Sequence, residues 1–156
     1  SYVCLNGGVV RYIKDSPPKP RPPLGIRFAL IHTGTPECTT GECVVKVKED
    51  FGESAIWEEF ERITNAIDHA DSRDVLPLIR ENHGLLCRIG VVPQRVQELI
   101  ADIEMLGGAA KVCGAGAIRG DNGGIVMVLG GMDLDRLCAE YDVKAFACEP
   151  DLGGLR

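Results

Sequence analysis

The sequence predicts an α+β domain: a mainly antiparallel four-stranded sheet with a ferredoxin-like core and helices packed on one face. Two observations carry this prediction. β-rich segments stand near both ends of the chain, and a block of four amphipathic helical segments separates them. Strands and helices that are grouped in this way are typical of α+β folds. The 156 residues have the length of one domain, with no internal repeat, so we expect a single domain over residues 1–156.

The first part of the chain predicts two strands that are joined by a proline-rich connection. The strands cover residues 7–14 and 25–32, where apolar and β-branched residues dominate. Residues 17–23 between them contain five prolines. Because proline cannot donate a hydrogen bond to a β-ladder, this segment is predicted to be an extended loop in a stiff hairpin. Its P-x-x-P spacing also fits a ligand of an SH3 domain, which stays open as an alternative.

Four helices are predicted from apolar residues that recur three and four positions apart. The first covers residues 40–51, and the next two begin at Ser54 and Ser72, which are suitable N-caps. The fourth has Pro93 in its first turn and ends at Gly107. The remaining elements are a strand, a glycine-rich loop, a strand, a short helix and a last strand, and their predicted bounds are 109–113, 114–124, 125–129, 133–141 and 143–148.

Charge and cysteine content limit the partners and the compartment. The formal net charge of −6 gives no positive surface for nucleic acid or an anionic membrane, and neither is expected as a partner. The seven cysteines contain no C-x-x-C pair, so no metal site is predicted. Unpaired thiols that pack as small apolar side chains suit a reducing compartment, and we expect the protein to be cytoplasmic.

The segment from Lys111 to Gly124 carries the clearest chemical signal. Five of its fourteen residues are glycine, and it lies between two predicted strands. Successive glycine-rich amides can point into one concavity and hold an anion, with Lys111 and Arg119 adding charge at its edges. The P-loop pattern and the dinucleotide fingerprint do not occur. From these residues alone, a phosphate cradle and a hairpin loop with special dihedral angles are equally good interpretations.

The order of four motifs resembles the GHMP kinases, and among them the mevalonate kinases. Residues 111–116, Lys-Val-Cys-Gly-Ala-Gly, are similar to the third family signature, K-x-[TS]-G-A-G-G-G-G. Residues 31–39 resemble the stretch D-T-G-x-P-R-x-T, and residues 82–91 resemble N-x-G-L-L-x-x-L-G-V. Residues 7–9 resemble the glycine pair that opens the first strand of the carboxy-terminal domain in this family.

Three positions depart from the family pattern. Cys113 stands where threonine or serine is usual, and Glu37 replaces an arginine. Residues 117–119 also interrupt the glycine run. These departures concern the acceptor site rather than the fold, and they leave phosphomevalonate kinase or another GHMP kinase as alternatives.

The resemblance implies that the chain is the carboxy-terminal half of a two-lobed kinase that transfers phosphate from ATP to an alcohol such as mevalonate, a step in isoprenoid precursor synthesis. The amino-terminal half would be its partner and would bind most of ATP and Mg²⁺. It would also carry the catalytic Asp, which is expected just before Ser1, so this chain alone is expected to be inactive. A homodimer is left open. A non-catalytic domain that binds a small anion or serves assembly is the alternative from another class.

The resemblance also implies which residues contact the small-molecule substrate or its phosphate. These are Lys111, the run from Gly114 through Ala115 to Gly116, and Thr33 and Thr39 near the acceptor. His83 and Arg119 are further candidates. For the two threonines, capping of the following helix is an equally good interpretation, and a hydrogen-bonded structural role is the alternative for His83.

Overall fold

The computed structural model describes residues 6–23, 25–72 and 74–148. In these residues the chain forms, in order, β1 (Val9–Arg11), β2 (Lys19–Arg21), β3 (Phe28–His32), α1 (Thr40–Phe51), α2 (Ile56–His69), α3 (Val75–Arg88), α4 (Gln94–Met105), β4 (Ala109–Val112), β5 (Ile125–Leu129), α5 (Asp135–Glu140) and β6 (Lys144–Cys148).

The central sheet has four strands in the order β4-β5-β3-β6, and every neighbouring pair is antiparallel. Leu30 of β3 lies opposite Met127 of β5 on one side and opposite Phe146 of β6 on the other. The predicted α+β fold with a four-stranded antiparallel sheet is therefore confirmed. β3 is brought to the middle of the sheet although four helices separate it from β4 in the sequence.

The main core forms where alternate residues of the sheet meet the apolar stripe of α4. The residues that β4 and β5 give to this core alternate along each strand, because successive side chains of a strand point to opposite faces of the sheet. The core cluster includes Ile31, Ala110, Val112, Val126 and Val128 from the sheet and Val96, Leu99, Ile100 and Ile103 from α4. Each fully buried Val, Leu or Ile side chain of this cluster contributes roughly 1.5–3 kcal/mol to the free energy of unfolding.

A smaller cluster fixes α3 along the edge of the sheet. Val75 and Ile79 lie one turn apart on α3 and pack with Ala109 and Leu129. Arg80 donates a hydrogen bond from its Nε to the carbonyl oxygen of Gly108 at 2.9 Å. Because α3 packs against β4 and α2 packs against α3, the two helices stack outward from the sheet edge.

α1 has the predicted bounds, whereas α2 and α3 begin later than predicted, Pro93 precedes α4 instead of standing in its first turn, and α5 is shorter than the predicted 133–141. α2 begins at Ile56 with Ala55 as the residue before it, and Ser54 instead accepts a hydrogen bond from the Ile56 amide at 3.2 Å. α3 begins at Val75, so Ser72 does not cap it. At α2 the serine hydroxyl therefore still binds an amide of the first turn, although it stands two residues before the helix. Before α3 it is Asp71, not Ser72, whose carboxylate accepts a hydrogen bond, from the Asp74 amide at 3.3 Å.

The proline-rich segment was predicted wrongly as a loop, because it contains the strand β2. Pro20 lies opposite Val10 in an antiparallel two-stranded ribbon that is separate from the main sheet. Proline is tolerated in such an edge strand because only one side needs a partner. Arg11 and Arg21, one from each strand, both form ion pairs with Asp68 of α2. The ribbon is thereby attached to a helix, and it does not form a hairpin with β3.

Candidate functional site

The glycine loop connects β4 to β5, and a backbone hydrogen bond joins its two ends. The Cys113 amide donates to the carbonyl oxygen of Ile125 at 2.7 Å. Four loop glycines have positive φ angles, of 74° at Gly114, 65° at Gly116, 75° at Gly120 and 79° at Gly124. These angles lie in the left-handed region that favours glycine. The predicted loop with special dihedral angles is therefore present.

The middle of the loop is pinned to the turn between α3 and α4. The Ala117 amide donates to the carbonyl oxygen of Val91 at 2.9 Å. Gly116 is buried so tightly against this carbonyl that a Cβ atom on it would lie 2.0 Å from the oxygen. Gly116 therefore serves close packing of two backbone segments, and it does not face an open space that a ligand could occupy.

Gly114 and Ala115, in contrast, line an open groove. The groove has a volume of about 400 Å³, which lies in the range of small-molecule sites. A Cβ atom on Gly114 would meet nothing within 4 Å. In the described part of the chain, the amides of Gly114 and Ala115 have no hydrogen-bond partner. This end of the loop is the part that can receive a ligand.

The other walls of the groove are helical and mostly apolar. They come from α1, the first turn of α2, the end of α3 and the turn that follows, through Cys43, Val44, Val47, Lys48, Gly52, Trp57, Leu86, Ile89 and Val91. Trp57 is held in place by its indole N–H, which donates to the carbonyl oxygen of Phe51 at 2.6 Å, and by stacking on Phe60. Lys48 adds a positively charged side chain to this wall. The shape suits a small ligand with an apolar part and an anionic group.

Thr33 is buried at the end of β3, and both hydrogen-bonding functions of its hydroxyl are used inside the protein. Its Oγ1 accepts from the Gly123 amide at 3.0 Å and donates to the carbonyl oxygen of Gly124 at 2.9 Å. The two contacts tie the end of the glycine loop to the sheet. This geometry favours a structural role for Thr33, and its contact with an acceptor stays a prediction.

Thr39 and Arg119 are joined through Glu42 in the first turn of α1. Thr39 caps this helix, and the side chain of Glu42 accepts from the Thr39 amide at 2.7 Å to complete a capping box. Arg119 of the glycine loop forms an ion pair with the same carboxylate at 2.7 Å. The hydrogen bond from the Thr39 backbone, followed by that from Arg119, lowers the pKa of Glu42 to about 2. Both candidates are therefore engaged with Glu42, so the charge of Arg119 is paired.

His83 and Lys111, which lie far apart in the sequence, are brought close together. His83 is half-buried on α3, and Lys111 is half-buried on β4, which α3 packs against. Burial and, second, the charge of Lys111 lower the pKa of His83 below its ordinary value. Leu86, which lines the groove, stands three residues after His83 on the same helix. Neither His83 nor Lys111 is among the residues that line the groove.

The Lys111→Met variant is expected to raise the pKa of His83, because it removes the neighbouring positive charge. The pKa is expected to stay below 6.5, since burial, the larger cause, is unchanged. The measurement is an NMR titration of the His83 ring protons in both proteins. Arg119→Met is the control: its guanidinium is paired with Glu42, and it should leave the midpoint unchanged. An unshifted His83 titration in Lys111→Met would mean that the two side chains are not neighbours.

Metal-binding clusters and membrane-spanning helices were both looked for in the described residues. Among residues 6–23, 25–72 and 74–148, no group of three or more His, Cys, Asp or Glu side chains is arranged to hold a metal ion. Within the same ranges, every helix is too short or too polar to cross a membrane.

The fold is that of the carboxy-terminal domain of GHMP-type small-molecule kinases. A mevalonate kinase structure aligns with a TM-score of 0.71 at 21% identity, over 93% of this chain and 48% of that one. The mevalonate kinase of Methanococcus jannaschii aligns with a TM-score of 0.68 at 22% identity, over 81% and 40%. The phosphomevalonate kinase of Streptococcus pneumoniae gives 0.59 at 14%, over 81% and 41%.

The chain thus spans less than half the length of each of these structures, and at such identities the likeness shows the fold alone. No protein-family model matches the sequence, and no curated protein matches it. The order of the motifs indicated the same fold, so the fold expected from the resemblance is confirmed.

Sequence reasoning found the loop but missed the rest of the groove. Val44, Lys48 and Trp57 were not among the candidate residues, although all three line it. Val44 and Val45, which are consecutive on α1, are both exposed, by 58% and 56%. Two consecutive valines are also compatible with the wide apolar stripe of a helix that faces a core, so the sequence carries no signal that this surface is open.

Proposed function

We propose that this chain is the carboxy-terminal half of an ATP-dependent small-molecule kinase and that it binds the phosphoryl acceptor. We take the hydroxyl of mevalonate as the acceptor and phosphomevalonate as the alternative. The observation that carries the proposal is the open backbone of Gly114 and Ala115 on a 400 Å³ groove, in a fold shared with kinases for these two compounds.

The chemistry of the groove supports an acceptor with an anionic group. The unpartnered amides of Gly114 and Ala115 can donate to a phosphate or carboxylate oxygen, and Lys48 can add a positive charge from the opposite wall. The apolar side chains of Val44 and Leu86 can contact the carbon skeleton. Lys111 beside His83 is proposed to attract the anion from the side of α3.

We further propose that an amino-terminal half binds most of the Mg²⁺–ATP, which supplies the transferred phosphoryl group when bound. Phosphoryl transfer depends mainly on the positioning of the two substrates and on neutralisation of the transferred group. In this division the described residues position the acceptor and exclude water from one side of it. The catalytic base is assigned to the amino-terminal half, and residues 1–156 alone are expected to show no turnover.

The test is ATP-dependent phosphorylation of mevalonate by the complete gene product, with Gly114→Ala beside the parent protein. The added Cβ atom would stand in the groove and hinder close approach of the anion. We expect the variant to lower kcat/KM for mevalonate about tenfold, or roughly 1.4 kcal/mol. Gly107→Ala is the matched control, because Gly107 also has a positive φ angle, of 88°, and open space around it. It lies at the end of α4, and its kcat/KM should equal that of the parent.

Three other results of this test would each lead to a different conclusion about the function. Turnover of phosphomevalonate but not of mevalonate would keep the kinase class and change the acceptor. Equal kinetics of Gly114→Ala and Gly107→Ala would remove the loop from the site. Failure to phosphorylate either compound, together with binding of inorganic phosphate, would favour a non-catalytic anion-binding domain.

A further inference from the structure

Two cysteines at the start of α1 contact each other beside the glycine loop. The Sγ atoms of Cys38 and Cys43 are 3.4 Å apart. Cys43 is buried, with 2% of its surface exposed, whereas Cys38 is half-buried and reaches the surface. The two residues stand at the N′ and N4 positions of the helix, because Thr39 is its N-cap. An apolar pair at these positions is the hydrophobic staple, but two thiols in contact can also form a bond.

We propose that Cys38 and Cys43 form a reversible disulfide and that this dithiol is a redox modification site coupled to the glycine loop. The inference does not depend on the proposed kinase activity. A disulfide needs an S–S distance of about 2.0 Å, so the sulfur atoms must approach by little more than one ångström. Cys38 precedes the helix, and rotation of its side chain can supply most of this movement.

The difference in exposure assigns a role to each thiol. An external disulfide such as oxidised glutathione reaches Cys38 first, because Cys43 is covered. The Cys38 thiolate attacks one sulfur of glutathione disulfide, forms a mixed disulfide and releases one glutathione thiolate. The Cys43 thiolate then attacks Sγ of Cys38 and releases the second glutathione. Two cysteine thiols lose two protons and two electrons, and glutathione disulfide takes them up as two thiols.

The pair is connected to the glycine loop by two contacts that oxidation would change. The Ile118 amide donates to Sγ of Cys38 at 3.4 Å, and the Cys43 thiol donates to the carbonyl oxygen of Gly116 at 3.9 Å. In the disulfide, Cys43 has no S–H to donate, and Cys38 has turned away from Ile118. Burial, first, and the neighbouring Cys38 sulfur, second, raise the pKa of Cys43. In the reduced protein, the two contacts join the start of α1 to the glycine loop.

The experiment equilibrates the folded protein in buffers with rising ratios of oxidised to reduced glutathione, followed by acid quenching and digestion. Trypsin releases residues 28–46, which contain Cys38 and Cys43 and no other cysteine. Glutamyl endopeptidase then cuts after Glu37 and Glu42, between the two cysteines. We expect mass spectrometry to find fragments 38–42 and 43–46 joined as the ratio rises, and separate again after treatment with dithiothreitol.

Three cysteine variants distinguish the Cys38–Cys43 disulfide from other reactions of the protein's thiols. Cys43→Ala is expected to retain glutathione on Cys38, because the resolving thiol is absent, and Cys38→Ser is expected to leave Cys43 unmodified. Cys148→Ser, on β6, is the control and should form the joined fragments as the parent does. Separate fragments at every ratio, pairing of Cys38 with another cysteine, or joining only in denaturant would overturn the proposal.

The effect of the Cys38–Cys43 disulfide on the glycine loop can be measured by hydrogen exchange. Exchange of the Ile118 amide hydrogen with solvent is expected to be severalfold faster in the oxidised protein than in the reduced protein, because its acceptor has moved. The Cys113 amide, which bonds to Ile125 at the base of the loop, should exchange equally in both states. Equal Ile118 exchange in the two states would show that the disulfide does not reach the loop.

Discussion

Replacing Gly116 by alanine is expected to lower the free energy of unfolding by about 4 kcal/mol. Two costs add at this position. The φ angle of 65° is strained for any residue with a Cβ atom, and that atom would lie 2.0 Å from the carbonyl oxygen of Val91. Relief would require the turn between α3 and α4 to move away. This movement would also break the bond between the Ala117 amide and the same oxygen.

The measurement is urea unfolding of the Gly116→Ala variant and of Gly114→Ala beside it. Gly114 has a similar φ angle, of 74°, but no neighbour within 4 Å of the added atom, so only the backbone strain of about 1 kcal/mol is expected there. The difference between the two variants isolates the clash with Val91. A Gly116→Ala protein as stable as Gly114→Ala would show that this close approach of two backbone segments does not occur.

The two glycines of one sequence signature therefore have different physical functions. Gly116 holds the loop against the body of the domain, whereas Gly114 leaves room for a ligand. Both match the same motif, and the pattern of letters does not distinguish them. Activity assays of Gly116 variants would report loss of the fold, so only Gly114 can test the binding role of the loop.

Local signals predicted the regular elements well. β5 covers Ile125–Leu129 and α1 covers Thr40–Phe51, with the bounds that the sequence indicates. In both cases the deciding interaction is local: a short apolar run between loops gives the strand, and Thr39 with Glu42 gives the helix start. The sheet order was less accessible, because it depends on which distant strands meet.

The secondary-structure predictions are wrong where contacts between residues far apart in the sequence determine the local structure. β2 contains Pro20 and would not form from its own sequence, but ion pairs from Arg11 and Arg21 to Asp68 hold it on α2. Glu37, which stands where the family has an arginine, lies with its side chain beside Gly120 of the loop. Arg119 in the interrupted glycine run is paired with Glu42.

The groove could not be predicted, because its walls come from separate elements that meet only in the folded chain. Lys48, Trp57 and Leu86 belong to three helices, and each is unremarkable in its own segment. The motif search indicated one wall, the backbone of Gly114 and Ala115. α1 lies across from this loop, with Cys43 buried and its Sγ 3.9 Å from the carbonyl oxygen of Gly116.

Thr33→Val is expected to lower the free energy of unfolding by about 2 kcal/mol. Valine keeps the size of threonine but removes the hydroxyl, and the buried Gly123 amide then loses its acceptor at 3.0 Å. Gly124 keeps the bond from the Thr33 amide at 2.9 Å, so its carbonyl oxygen is not left unpaired. The cost is therefore that of one buried donor, and it is measured by urea unfolding.

Thr33→Ser is the matched control, since it retains the hydroxyl and loses only a methyl group, at a cost of about 0.8 kcal/mol. A larger loss of stability in the valine variant than in the serine variant would place the Thr33 hydroxyl in the support of the glycine loop. Equal stability of valine and threonine at this position would contradict that role. The two hydrogen bonds of the hydroxyl would then add nothing to the stability of the loop, although Thr33 is buried.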